Sequence, residues 1–211
     1  MIHSDSDDDV TGLVEQGDFR TAVQQLMSRH RVRVYRYCSA VLHDPVLADD
    51  VCQQIFIQAF RDMSRFQGRS KILTWLFAIA RHRVLDALKV RRRARARQQD
   101  GPTTDSPDLR PSPDESLDEM RLRQTLMRSL EQLDDKTRLA LLLRYQQGFS
   151  FQEMAAICRE KPGALAARIA RALPRLRADI ESRLAGPPEQ EPRRCAARLP
   201  QLASSGPILV S

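Results

Sequence analysis

The segment from Val46 to Arg97 constrains the chain most, because two helical apolar stripes follow each other within it. Leu47, Val51, Ile55, Phe56, Ala59, Phe60 and Met63 recur at the helical period. Asp49, Asp50, Gln53 and Gln54 flank that stripe, free to meet a partner. Gln67 and Gly68 break the pattern. The second stripe is Leu73, Leu76, Phe77, Ala80, Val84 and Leu88, with Thr74, Arg81, His82, Lys89 and Arg92 on the other side.

Between Arg69 and Arg97, ten Lys and Arg residues stand against one acid, Asp86. The whole chain carries only +7, so the remainder is slightly acidic and the positive field is concentrated on one element. Cations interleaved with Trp75 and Phe77 suit a phosphate backbone beside unstacked bases. A solvated helix face would need no partner. A cluster this dense on one amphipathic helix favours nucleic acid. Trp75 reads equally as a stacking surface or as core; Phe77 reads mostly as core.

The 211 residues suffice for one or two small domains. Aromatics are few, Leu, Ala and Arg are abundant, and no alternating strand pattern is bounded by turn signals. An all-α fold follows. No apolar run approaches the roughly 18 residues of a membrane span, and no signal-peptide core opens the chain. The expected location is the cytoplasm. Cys38, Cys52, Cys158 and Cys195 show no metal-ligand spacing; the first three sit in helical patterns as small hydrophobes. His3, His30, His43 and His82 are scattered, and phosphate loops, glycine fingerprints and nucleophile elbows are missing. The expectation is no catalytic residue, no metal, no cofactor and no small-molecule substrate.

Residues 1–17 read as a disordered N-terminus. Asp18 to Leu42 reads as a long helix interrupted near His30, and Asp44-Pro45 ends it and starts the next. The first domain is therefore expected over 18–97. Residues 98–118, with Gly101 and four prolines, form a linker without periodicity. The second domain is expected over 119–185. Leu122, Leu126, Leu130 and Leu133 align in its first helix, and Asp134 or Asp135 caps the next. Leu139, Leu142, Leu143 and Tyr145 follow, and Gly148 stops that helix.

Ser150 and Glu153 form a capping box, with Phe149 and Met154 as its hydrophobic staple. A short helix to Cys158, a turn at Arg159 to Lys161 and a helix opened by Pro162 make a helix-turn-helix. Its second helix carries Arg168, Arg171, Arg175 and Arg177, with Leu165, Ile169, Ala172, Leu173 and Leu176 toward the bundle. Residues 186–211 read as a flexible extension.

The set Ala48-Asp49-Asp50-Val51, Gln53, Phe56, Ala59-Phe60, Arg65-Phe66, Gly68, Thr74-Trp75-Leu76 and Ile79-Ala80-Arg81 resembles region 2 of bacterial sigma-70 factors, in the extracytoplasmic-function group. Leu133, Arg138, Leu142-Leu143-Arg144, Gly148-Phe149-Ser150, Glu153-Met154-Ala155, Ile157, Gly163, Arg168, Arg171 and Leu176-Arg177 are similar to region 4 of the same family. The resemblance implies two helical domains and a function in promoter recognition, DNA melting and transcription initiation, for a stress or envelope signal.

It further implies that Asp49, Asp50, Gln53 and Gln54 meet the clamp of the RNA polymerase largest subunit, with the flap of the second-largest subunit as another contact. Gly68, Arg69, Ser70, Lys71, Thr74, Trp75, Arg81, His82, Arg83, Lys89, Arg91, Arg92 and Arg93 would meet the −10 element. Gly163, Ala164, Ala167, Arg168 and Arg171 would meet the −35 element. An anti-sigma factor is an implied partner, able to hold the chain at the membrane. The linker would be either a passive tether or an acidic mimic of nucleic acid in the polymerase channel.

Several residues depart from the family pattern. Gln54 stands where Glu is usual, and Arg159 where Gly is usual, at a cost of roughly 1 kcal/mol or more in a left-handed turn. Lys161 stands near the usual small polar cap. Ala166 and Ala167 replace polar residues of the recognition helix, and Pro174 is expected to kink or end it. A helix-turn-helix regulator acting without polymerase is the alternative reading, but it leaves Val46 to Arg97 unexplained. A helical adaptor without DNA contact would lack the basic excess.

Overall fold

The computed structural model describes residues 7–97 and 117–185. Cys195, most of the linker and the extension after 185 lie outside these residues. Every regular element among them is helical.

The first helix, α1 (Asp8–Glu15), corrects the expectation of a disordered N-terminus. Val10 and Val14 lie four residues apart on one face, and both are buried. Asp7 and Asp9 fasten it to the next helix, α2 (Phe19–Leu42). Asp7 Oδ1 lies 3.0 Å from His30 Nε2, and Arg29 donates to both Asp9 oxygens, one at 2.7 Å. His30 is therefore a buried docking point for α1, and α2 runs past it unbroken.

Capping follows from local chemistry. Asp18 accepts from the Thr21 N–H at 3.1 Å, Asp44 from that of Leu47 at 3.0 Å, and Asp134 from that of Thr137 at 3.0 Å. His43 ends α2 with φ +53, a left-handed position. Pro45 opens α3 (Pro45–Asp62), which closes in a 3-10 turn at Met63–Arg65. Gly68 turns the chain at φ +67 before α4 (Ile72–Arg97).

The second half contains α5 (Leu117–Glu131), α6 (Asp135–Leu141) with a π-turn over Leu142–Gln146, α7 (Phe151–Cys158) and α8 (Pro162–Leu184). The capping box is complete: Ser150 Oγ accepts from the Glu153 N–H at 3.2 Å, and the Glu153 carboxylate accepts from the Ser150 N–H at 2.9 Å. Both staple residues are buried. Arg159 adopts the left-handed φ of +55, and Lys161 gives α8 no side-chain cap. Pro174 does not end α8, which continues to Leu184. The flanking Leu173 and Arg175 are exposed, so few neighbours oppose the missing hydrogen bond.

Leu26, Leu42, Ile55, Met63, Ile72, Leu76 and Phe77 fill the core of the first half, and Leu139, Leu143, Met154 and Leu165 that of the second. The two meet where α4 packs on α7. Phe77 stands edge-on to Tyr37 at 5.5 Å and to Phe149 at 4.9 Å. Some apolar residues placed inside by periodicity lie outside. Phe60 is 52% exposed, and Leu122, Leu126, Tyr145 and Leu173 are also exposed. An amphipathic stripe is wider than the strip a neighbouring helix covers, so its edges stay wet.

Candidate nucleic-acid and protein interface

The α3 surface joins carboxylates, amides and exposed hydrocarbon. Asp50, Gln53 and Gln54 are exposed, whereas Asp49 is half-buried. Asp49 accepts from Gln53 at 2.8 Å and lies 3.4 Å from Arg31. One and two turns onward, Ile57 and Phe60 are 43% and 52% exposed on the same side. Sequence patterning missed this apolar continuation because Phe60 also satisfies the buried stripe. Its signal was Ile57, which falls outside that stripe and beside the exposed glutamines.

The turn Gly68 to Lys71 and helix α4 carry the basic cluster. Arg69 and Lys71 are exposed and Ser70 half-buried. Thr74 corrects the expectation of an outward residue: it is 2% exposed, with Oγ1 lacking a hydrogen-bond partner. Trp75 is half-buried, its ring 5.4 Å from Phe66, so part of its surface is already covered. Phe77 is core.

The cations divide by partner. His82 Nε2 and Lys89 Nζ both lie 3.2 Å from Asp86, His82 four residues before it and Lys89 three after it on the helix. Arg83 donates to Gln58 of α3, and Arg91 to the Leu42 carbonyl. Arg93 is exposed. Lys71 lies 3.0 Å from Glu153 and Arg81 3.9 Å from Glu160, while Arg92 pairs with Asp135. These three acids belong to the second half of the chain. Sequence reading could not place them, because each pair spans a separation that only folding closes.

On α8, Gly163, Ala164, Ala167 and Arg171 are exposed, and Arg171 Nε donates back to the Ala167 carbonyl at 3.2 Å. Arg168 is half-buried and held in a fork by Glu160, with one contact at 3.2 Å. That hydrogen bond raises the Arg168 pKa above its ordinary value. Burial acts to raise the Glu153 carboxyl, but the Ser150 N–H, Lys71 and the Ser150 hydroxyl together hold it below its ordinary value. Among the described residues no group of His, Cys, Asp and Glu is arranged to hold a metal ion. No helix among them is long and apolar enough to cross a membrane.

A helical, two-domain protein with a basic first domain and a helix-turn-helix in the second belongs to the DNA-binding transcription proteins. Comparison with known proteins narrows the class. Residues 26–94 match the model of Sigma-70 region 2, and residues 123–176 that of Sigma-70, region 4. RNA polymerase sigma factor CarQ of Myxococcus xanthus is 32% identical over 74% of this chain and 87% of its own length. The ECF RNA polymerase sigma factor SigC of Mycobacterium tuberculosis is 35% identical over 86% and 97%. The structure of the sigma factor RpoE from Bartonella quintana, solved with the anti-sigma factor NepR, superposes with a TM-score of 0.65 at 25% identity, covering 75% of this chain and 96% of that one. CnrH, solved with the cytosolic domain of CnrY, shares the fold with a TM-score of 0.63 at 24% identity, over 84% of this chain and 99% of that one.

This chain belongs to the sigma-70 family of RNA polymerase sigma factors, in its extracytoplasmic-function group. The reading as a regulator that acts without polymerase is not favoured. Sigma factors are generally non-catalytic regulatory subunits.

Proposed function

We propose that α3 docks this sigma factor on the clamp of the polymerase largest subunit through Asp49, Asp50, Gln53 and Gln54, with Ile57 and Phe60 as an apolar extension. The second domain contacts the flap of the second-largest subunit. The turn at Gly68, Arg69, Ser70 and Lys71, together with α4, engages and opens the −10 element, and the start of α8 engages the −35 element. The observation that carries this reading is the pairing of two adjacent helices: one with an exposed acid-and-amide face, the next with the chain's densest cation cluster.

Opening a duplex requires compensation for lost stacking, a few kcal/mol per flipped base. Phosphate contacts from Arg81, His82, Arg83, Lys89 and Arg91 to Arg93 supply part of it. Thr74 is a buried hydroxyl rather than a surface contact; it borders the turn where a captured base would sit. The exposed part of Trp75 offers an edge for stacking. Residues 18–97 and 119–185 act as the two functional domains, and residues 98–118 join them.

An anti-sigma factor is proposed as a further partner, since the related sigma factor RpoE was solved in complex with the anti-sigma factor NepR. Such a partner would control a stress or envelope-signal regulon, and one anchored in a membrane would hold this cytoplasmic factor there. Run-off transcription with sigma-free RNA polymerase and this chain, on promoters upstream of its own gene cluster, tests the reading. Chain-dependent transcripts support it; a polymerase that stays silent on every promoter refutes it.

A further inference from the structure

We infer that the turn of the helix-turn-helix is a phosphate grip, in which Arg159 and Lys161 hold the DNA backbone beside the groove that α8 enters. The inference rests on the reading of α8 as the −35 helix proposed above; neither residue belongs to that assignment.

Both residues stand where the fold favours another type. Arg159 adopts φ +55 and ψ +43, the left-handed region in which a side chain is strained and glycine is not. Its N–H donates to the Ala155 carbonyl, and the Glu160 N–H donates to the same oxygen at 3.3 Å, so this conformation closes α7. Lys161 is the residue before α8, with φ −67 and ψ 140. A serine, threonine or aspartate there would accept from the first N–H groups of the helix. Lysine has only donors, and α8 has no side-chain cap. Each position therefore gives up local stability and carries a cation instead. Backbone strain of this kind persists where a side chain serves something other than the fold.

The protein itself does not neutralise these cations. Both side chains are exposed. Among the described residues neither has an ion-pair partner. Glu160, the acid between them, is turned to Arg168, which it holds in a fork. From Arg159 to Arg177 six Lys and Arg residues stand against that one acid, so the positive charge at the turn is not cancelled along the chain.

The placement fits a phosphate. A recognition helix sets its first turns against base edges, so the turn before it lies at the lip of the groove, where the DNA backbone runs. The Lys161 carbonyl accepts from the Ala164 N–H at 3.0 Å and from the Leu165 N–H at 3.2 Å, so the turn is tied to α8 and its cations move with the helix. Gly163, Ala164 and Ala167, exposed on the leading turns, have no side-chain hydrogen-bonding group. Backbone contacts from the turn supply position and depth that these residues do not.

Arg159→Gly and Lys161→Ser separate fold from function, because each restores the residue type that the local backbone favours. Thermal unfolding of the full chain and DNA binding by reconstituted holoenzyme are measured side by side. The probe is a labelled duplex selected by wild-type holoenzyme from a pool randomised over the −35 stretch. Each variant should melt about 2 °C above wild type. Each should bind the duplex about eightfold more weakly at about 0.1 M salt, with the slope of log affinity against log salt reduced by about 0.9. The two together should reduce that slope by about 1.8.

A variant that gains stability and keeps its DNA affinity overturns the inference, since its cation is then a solvated surface charge. So does one that loses both, or one whose weaker binding leaves the salt slope unchanged. Arg171→Ala is the control for α8 itself. If it weakens binding while the turn variants do not, the inference falls and the −35 reading stands. If none of the three alters DNA binding, both fall.

Discussion

The two basic helices α4 and α8 contrast in how they are anchored and in what they present. In α4, buried residues recur from Ile72 through Leu76, Phe77, Ala80 and Val84 to Leu88, so the helix is seated along most of its length. Its exposed positions include His82, Lys89, Arg92, Arg93 and Arg97, with Val90, Ala94 and Ala96 among them. In α8, burial stops at Ala172, Pro174 interrupts the hydrogen-bond ladder, and the segment beyond is largely exposed. Its leading turn presents Gly163, Ala164 and Ala167, which carry no side-chain hydrogen-bond donor or acceptor for a base edge. On the proposed assignment the DNA chemistry rests mainly on the cations of the first domain, with Arg168 and Arg171 as the contacts proposed for α8.

Removing the anchor of α4 should have the largest effect. Phe77 is fully buried and touches both Tyr37 and Phe149. Phe77→Ala should cost about 3–5 kcal/mol in urea unfolding. A loss below about 1 kcal/mol would show that α4 is not seated as described.

Charge removal separates the two helices next. Neutralising Lys89, Arg92 and Arg93 together should weaken DNA binding by the holoenzyme uniformly across sequences. It should also lower the slope of log affinity against log salt by about 2–3, since each phosphate contact contributes roughly 0.9. Arg171→Ala in α8 should lower that slope by about 1 at most. Equal slopes for the two variants would erase the contrast.

The smallest expected effect lies at α1. A hydrogen bond from Arg29 brings the Asp9 carboxyl down to about 2. A carboxylate depressed on folding stabilises above its ordinary value, near 3.9, and loses that contribution as pH falls through its folded value. The protection of the α1 amides, taken relative to their intrinsic exchange rate at each pH, should therefore fall between about pH 4 and pH 2, with little change above that window. The pair is exposed, so the effect is modest. Protection that is flat across the window would detach Asp9 from the docking of α1.

How legible these features were depends on the distance over which each is decided. The capping box at Ser150 and Glu153, its staple, the left-handed Arg159 and the stop at Gly148 are settled within a few residues, and the structure has all of them. The family resemblance was legible for the same reason, as spaced residues within single helices. Phe60 and Thr74 were misplaced because a periodic stripe does not say which of its edges a neighbour covers. The helix α1 was invisible because its docking rests on Asp7 and Asp9 reaching residues more than twenty positions ahead or close to it. Arg33 on Gln147, 114 positions away, is an extreme case of the same blindness. On the candidate site, sequence put Arg81 and Arg92 on α4 and Lys71 in the turn before it, but could not show that the acids these three meet lie in the other domain.

The central claim is that the exposed α3 face grips RNA polymerase. Mixing sigma-free core polymerase with wild type and with Asp50→Lys, and resolving complexes by gel filtration, tests it most directly. Asp50 is exposed, so the variant should keep its helical circular dichroism. The account predicts a stable complex for wild type and none for Asp50→Lys. A folded Asp50→Lys that binds core polymerase as well as wild type does would contradict it.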